Sequence, residues 1–229
     1  MMKTTSGHIC GIETLSVQGE DPSVGVIFLH GYGASMHDLF PLWELWHMDK
    51  FNWYFPNGIL PLQPGYQQGR AWYSIDFEAL QRAMQTGTHR KMAQELPAEL
   101  ESTLRELESM ILELSKKHKT IILGGFSQGA MCVSHLAMSE NLKVDGLILL
   151  SGSLLADSKM PKVAKGIPFY QSHGTGDPVL HIDGAKALEA KLHALNFTGK
   201  LHAFNGGHEI PSVVIGEVRN FLNQFSQQK

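Results

Sequence analysis

The chain has 229 residues, 43% hydrophobic and 18% charged, proportions of a folded globular protein that exclude wholesale disorder. Its 19 Lys and Arg against 22 Asp and Glu leave a net charge of −3, with no basic block beyond Lys116-Lys117-His118-Lys119, so nucleic acid is not an expected partner. No apolar run is long enough to span a bilayer or to form a signal-like core near Met1. Two cysteines, Cys10 and Cys132, make no disulfide framework, so a cytoplasmic protein without stable membrane insertion is expected.

Residues 9–17 alternate loosely (Ile9, Ile12, Leu15, Val17) and suit an edge strand or hairpin, followed by the turn Asp21-Pro22-Ser23. Val24–Leu29 is a continuous apolar run, the pattern of a strand covered on both faces in a parallel sheet. It ends at His30-Gly31-Tyr32-Gly33-Ala34-Ser35, a loop whose close-packed backbone amides suit an oxyanion donor. Residues 36–48 have helical spacing with Pro41 in the first turn, and Asn52–Pro56 reads as a short strand.

Residues 57–76 contain Pro61, Pro64, Gly65 and Gly69 without a clear period, together with Leu60, Leu62, Tyr66, Trp72 and Tyr73. So much apolar material in a long loop suits a cover folded over a groove. From 77 the pattern is helical, weak across Thr86-Gly87-Thr88 and strong afterwards. There Leu100, Leu104, Leu107, Ile111 and Leu114 form one stripe with glutamates off it, and Pro97 starts or kinks the helix.

The stretch Thr120-Ile121-Ile122-Leu123-Gly124-Gly125-Phe126-Ser127-Gln128-Gly129 runs from an apolar strand into the buried-helix pattern of residues 130–138. The pentapeptide G-x-S-x-G alone is a weak signal. A strand before it and a helix after it are the context of a nucleophile elbow, in which a tight turn lifts a serine hydroxyl clear of the backbone. Beyond it, Val144 to Leu150 reads as a strand, as do residues 168–172 and the region around 201–204. Helices carry Ala185, Leu188, Leu192 and Leu195, and finally Ile210, Val214, Val218, Phe221 and Leu222. This alternation predicts one α/β domain over 1–229, a mostly parallel doubly wound sheet with helices on both faces, with 58–91 as a loop and helical insertion bordering the site. In such sheets chemistry collects at the carboxyl ends of the strands.

A serine hydroxyl needs a base to accept its proton and an acid to orient that base. Asp177 lies in the loop after the 168–172 strand, whereas Asp145 begins a strand, Asp157 lies well beyond one and Asp183 falls near a helix start. Of twelve histidines, His208 follows the last strand behind Gly206 and Gly207 and is the preferred base; His173 and His181 flank the acid loop and compete with it. The order Ser127, Asp177, His208 is that of the α/β-hydrolases. His173, His181 and Asp183 match no metal spacing, and Gly31 with Gly33 makes no dinucleotide fingerprint, so neither metal nor cofactor is expected.

With these residues placed, the chain resembles the carboxylesterase/phospholipase family of α/β-hydrolases, which includes acyl-protein thioesterases and bacterial serine esterases. The likeness runs from about Val24 to about Phe225. It is carried by Leu29-His30-Gly31-Tyr32-Gly33, Ala71-Trp72-Tyr73, the elbow, His173-Gly174-x-x-Asp177-Pro178-Val179 and Gly207-His208-Glu209-Ile210. The resemblance implies Ser127 as nucleophile, His208 as general base and acid, and Asp177 as orienting carboxylate. It also implies an oxyanion hole from the amides of Tyr32 and Gln128, and a 58–76 loop beside an acyl groove, with Trp72 near the centre and Tyr73, Leu60 and Leu62 as substrate contacts. Two positions depart from the family pattern: Ser74 stands where an acid usually follows the aromatic pair, and Tyr32 where Leu is frequent.

The expected activity is cleavage of a small acyl ester, acyl thioester or lysophospholipid through an acyl-enzyme, by a monomer or homodimer. The alternatives are a peptidase or lactonase on the same scaffold, or a non-catalytic ligand-binding protein that keeps the fold.

Overall fold

Consecutive apolar residues form the centre of the sheet because both of its faces are covered. In the computed structural model, which describes residues 3–62, 69–86, 91–161 and 166–226, the strands are β1 (Lys3–Ile9), β2 (Ile12–Gln18), β3 (Val24–Leu29), β4 (Asn52–Pro56), β5 (Leu60–Pro61), β6 (Arg70–Ala71), β7 (Thr120–Phe126), β8 (Gly146–Leu150), β9 (Pro168–Gly174) and β10 (Thr198–Phe204). Eight of them make one sheet in the order β1-β2-β4-β3-β7-β8-β9-β10, while β5 and β6 pair separately. The pairings from β4 to β10 are parallel; β1 and β2 add an antiparallel edge.

The helices are α1 (Met36–Leu39), α2 (Leu42–Trp46), α3 (Phe77–Thr86), α4 (Leu100–Ser115), α5 (Gln128–Ala137), α6 (Ile182–Ala194) and α7 (Ser212–Leu222). Alternate residues of each central strand feed opposite cores. Ile27, Leu29, Leu123, Leu147 and Leu149 pack with α4, α5 and α6. Val26, Phe28, Ile122, Ile148 and Leu150 pack with α2 and α7. Cys132 is fully buried on α5, where desolvation pushes its thiol far up; it serves as a small packing residue.

Several elements differ from the reading of the chain alone. The first hairpin begins at Lys3, in a polar strand with no alternating pattern to announce it. The single helix expected over 36–48 is two: Ser35 caps α1 through a capping box with Asp38, and Pro41 caps α2, because the ring cannot sit inside a continuous helix. Strand β9 continues to Gly174, so His173 belongs to the strand and not to the loop after it. The helix start near Asp183 is capped by the side chain of His181, which accepts from the Asp183 amide. Pro64, Gly65, Tyr66, Gly87 and Thr88 lie outside the described residues.

Candidate active site

Three loops at the carboxyl edge of the sheet meet at one point. Ser127 stands between β7 and α5 with φ 53° and ψ −117°, a conformation that non-glycine residues rarely adopt and that marks stored strain. The turn closes only because its flanking residues lack side chains. A Cβ on Gly125 would fall 2.4 Å from the Gly129 carbonyl carbon, and one on Gly129 would fall 2.3 Å from the Leu29 carbonyl oxygen. The Ser127 amide donates to the Leu150 carbonyl at 2.8 Å, which pins the strained residue to the neighbouring strand.

Asp177 lies just past β9 and His208 just past β10. These two loops are hydrogen-bonded to each other, the Thr175 amide donating to Phe204 O at 2.8 Å and the Gly176 amide to Gly206 O at 3.0 Å. His208 Nδ1 lies 2.6 Å from Asp177 Oδ2, and His208 Nε2 lies 2.8 Å from Ser127 Oγ. The carboxylate accepts at Nδ1, so the proton of a neutral ring sits there and Nε2 presents its lone pair to the serine hydroxyl. The Phe126 ring supports the imidazole at 4.9 Å between centroids.

The Asp177 carboxylate is wholly buried, and its second oxygen accepts from the amides of Val179 at 2.8 Å and Leu180 at 2.9 Å. Burial opposes its ionisation, but the His208 hydrogen bond and charge and the two amides outweigh burial. They hold the carboxyl below its ordinary value.

The structure does not bring His181 to this chain of bonds: its ring caps α6 and faces Asp183. His173 does reach Asp177, its Nε2 lying 3.3 Å from the same Oδ2 that meets His208. His118 is buried and tied to Tyr54 Oη at 2.7 Å and to Pro22 O at 2.6 Å. Asp145 accepts from the Ile121 amide at the opposite edge of the sheet.

Around Ser127 lies a cavity of about 220 Å³ whose lining includes Tyr32, Tyr73, Ile75, Leu80, Met131 and His208. A neighbouring cavity of about 330 Å³ shares Met92, Val179 and Leu180 with it. A larger recess of about 500 Å³ flanks β1 and β2 and contains none of the three polar side chains. Of the aromatic pair, Tyr73 lines the cavity beside Ser127.

Trp72 does not line the cavity. It is fully buried, its indole N–H donating to His30 O at 2.8 Å. Leu60 pairs with Ala71, and Leu62 lines a different depression with Ser35 and Arg70, so neither is among the residues lining the Ser127 cavity.

The Tyr32 loop is anchored from several sides. The Gly33 amide donates to Arg70 O at 2.9 Å. His30 Nδ1 donates to Gly31 O at 2.7 Å, and its Nε2 accepts from the Gly58 amide at 2.8 Å. Burial drags this imidazole down to about 4, so it stays neutral. A Cβ on Gly31 would lie 3.2 Å from Ser127 Cβ, a measure of how closely this loop approaches the elbow.

Two features had no signal in the pattern of the chain. The Gln128 side chain spans to the aromatic segment, Oε1 accepting from the Trp72 amide at 2.8 Å and Nε2 donating to Tyr73 O at 2.7 Å. A carboxylate absent at position 74 arrives from elsewhere: the Ser74 hydroxyl donates to Glu99 Oε2 at 2.7 Å, and this bond, with the Ser74 amide, holds Glu99 below its ordinary value. Among the described residues no cluster of His, Cys, Asp or Glu could hold a metal ion, and no helix is long and apolar enough to cross a membrane.

Sheet order, elbow and hydrogen-bonded Ser-His-Asp geometry define the α/β-hydrolase class. Known structures agree on the fold: a carboxylesterase from Mesorhizobium loti superposes with a TM-score of 0.77 at 18% identity, covering 96% of this chain and 98% of its own. The esterase PE8 does so with 0.76 at 22% identity, covering 97% and 99%. The profile of the Phospholipase/Carboxylesterase family matches residues 13–226, and the chain belongs to that family. Among its relatives, acyl-protein thioesterase 1 of Debaryomyces hansenii is 28% identical over 86% of this chain and 89% of its own length. That of Schizosaccharomyces pombe is 32% identical over 70% and 73%.

Proposed function

We propose that this chain is a serine hydrolase that cleaves carboxylic esters of apolar acyl groups through an acyl-enzyme, and that it accepts thioesters of the same acyl groups. The observation that carries this reading is the unbroken chain Ser127 Oγ, His208 Nε2, His208 Nδ1, Asp177 Oδ2, with links of 2.8 and 2.6 Å. The names of the relatives, acyl-protein thioesterase and carboxylesterase, support the acyl substrate class.

In the reaction, Ser127 Oγ bonds to the acyl carbon as His208 Nε2 takes its proton. The carbonyl electron pair moves onto oxygen, where the backbone N–H groups of Tyr32 and Gln128 hold it. Gln128 is the first residue of α5, so its amide sits at the positive end of the helix. The tetrahedral centre collapses, the bond to the leaving oxygen or sulfur breaks, and His208 gives that atom the proton. Water then attacks the acyl-serine, passing a proton to His208, and the acid leaves as Ser127 Oγ recovers it. Asp177 stays ionised throughout and stabilises the imidazolium.

Two features support an acyl group of medium length. The cavity beside the serine is lined mainly by apolar side chains, and its volume is about 220 Å³. At roughly 30 Å³ for a water-sized group, it accommodates about seven heavy atoms. The free thiols Cys10 and Cys132 suit a reducing cytoplasm.

A fluorophosphonate probe tests the chemistry, and p-nitrophenyl esters from acetyl to palmitoyl beside an octanoyl thioester test the substrate. Covalent labelling at Ser127, lost in Ser127→Ala, with a rate optimum at medium chain length is the expected result. Native protein that leaves the probe unreacted would overturn the hydrolase reading. Amide turnover equal to ester turnover would point to a peptidase, and a marked preference for cyclic esters to a lactonase.

A further inference from the structure

His173 has no part in the mechanism above, yet it is a completely buried polar side chain within reach of the same carboxylate oxygen that holds His208. Its Nε2 lies 2.8 Å from the Leu180 carbonyl and 3.3 Å from Asp177 Oδ2, with no exposure of either side chain. Both neighbours are acceptors. Among the described residues its Nδ1 makes no hydrogen bond. A proton on Nδ1 would therefore turn the Nε2 lone pair towards two oxygens, which is costly, and would have only the Gly152 backbone near the ring, at no hydrogen-bonding geometry. The neutral ring must carry its proton on Nε2. Burial, aided by the charge of His208, pushes the imidazole below its ordinary value against the pull of the Leu180 and Gly152 backbones and the Asp177 charge, so the ring carries one proton and not two.

Leu180 is no arbitrary acceptor, since its own amide donates to Asp177 Oδ1. The residue that receives the His173 proton is thus the one that grips the other side of the carboxylate. His173 binds the 177–180 turn through Leu180 and faces Oδ2 with the positive end of an N–H dipole. The titratable groups acting on Asp177 and His173 are each other and His208.

We propose that His173 is the positioning residue for Asp177: its Nε2–H, bonded to the Leu180 carbonyl and 3.3 Å from Oδ2, fixes the rotamer of the carboxylate and tempers its hold on His208. The inference rests on the assignment of Asp177 and His208 to the ester hydrolysis proposed above. An untempered carboxylate would bind the imidazolium more tightly, so His208 would keep its proton to higher pH.

The test compares His173→Leu, which removes the donor, with His173→Gln, whose amide N–H reaches the Nε2 position. Fluorophosphonate labelling of wild-type protein is run first, because its failure sinks the hydrolase reading itself and not the role of His173. For His173→Leu the expected result is a fall in kcat of about tenfold, the loss of one buried hydrogen bond, with KM within twofold. The acid limb of kcat/KM should move upward by a few tenths of a pH unit, and His173→Gln should recover both quantities. Folded His173→Leu protein with wild-type kcat and pH profile overturns the proposal. So does equal loss in both variants with an unmoved pH profile, the outcome of a merely structural role. If His173→Leu does not fold, ¹⁵N NMR of the wild-type imidazole decides, since a neutral ring protonated at Nδ1 contradicts the geometry.

Discussion

The Gln128 side chain and the Trp72 backbone are joined by a 2.8 Å hydrogen bond, and the same amide group returns a second bond of 2.7 Å to the Tyr73 carbonyl. The residue after the elbow serine thus reaches the aromatic segment through its side chain, while its main chain opens α5. Tyr73 lines the cavity and Trp72 is bonded to His30 O, so one side chain couples the proposed nucleophile to its pocket wall and, through the indole, to the Tyr32 loop.

Gln128→Ala should strand a buried N–H and a buried C=O, each worth about 1–3 kcal/mol. The expected loss of stability is about 2–4 kcal/mol, with kcat reduced about tenfold although the Gln128 backbone amide remains. Chemical denaturation and steady-state kinetics on a short ester measure both, and an unchanged unfolding midpoint would refute the coupling.

Gly129→Ala places a Cβ 2.3 Å from the Leu29 carbonyl oxygen, and backbone cannot swing aside as a side chain can. The elbow must open, at about 1–3 kcal/mol or more for the forced shift. Fluorophosphonate labelling should slow at least a hundredfold, since the Ser127 hydroxyl and the α5 amide move together. Labelling at the wild-type rate would show that the turn has slack.

Stability should fall in acid with a share traceable to His30. Its folded value lies near 4 against an ordinary 6.5, so between those limits the unfolded chain binds a proton that the folded chain refuses. Above pH 6.5 this costs the folded state nothing; the loss grows as pH falls towards 4 and reaches about 3 kcal/mol at the end of that window. His118, His135 and His173 are also depressed by burial and add loss of the same sign. Unfolding free energies from urea titrations at pH 7.5 and 4.5 should differ by about 2 kcal/mol less in His30→Gln than in wild type; equal differences would remove His30 from the account.

The pocket assignment distinguishes residues that the chain alone grouped together. Leu80→Trp fills the cavity beside Ser127 and should raise KM for octanoyl esters at least tenfold, with acetyl esters little changed. Leu62→Ala, which borders a separate depression, should leave the chain-length profile within twofold of wild type. An altered profile in Leu62→Ala would return that residue to the substrate path.

What could be read from residue order was what depends on sequence-local physics. The apolar run Val24–Leu29 became β3 with those same limits because a doubly covered strand needs no polar residues. Asp177 and His208 could be singled out because each follows a strand within a few residues. Trp72, Leu60 and Leu62 misled because apolar composition says that a side chain is buried, not against what. Trp72 went under the Tyr32 loop, and Leu60 into a small hairpin. The Gln128 clasp and the Glu99 bond to Ser74 span 56 and 25 positions. A pairing between distant polar groups leaves no periodic trace, and only three-dimensional geometry reveals it.

His208 Nε2 and Ser127 Oγ are 81 positions apart and sit on loops of strands separated by two others in the sheet. A chain still being synthesised could complete the elbow, its supporting helix and the Tyr32 loop well before residue 208 exists. The nucleophile would stay inert until β10 docks at the far edge. Reaction with an active-site probe should therefore act as a clock for the last step of assembly, switching on later in refolding than helical ellipticity or burial of the tryptophans. On the proposed mechanism, the chain carries no reactive serine until its fold is closed.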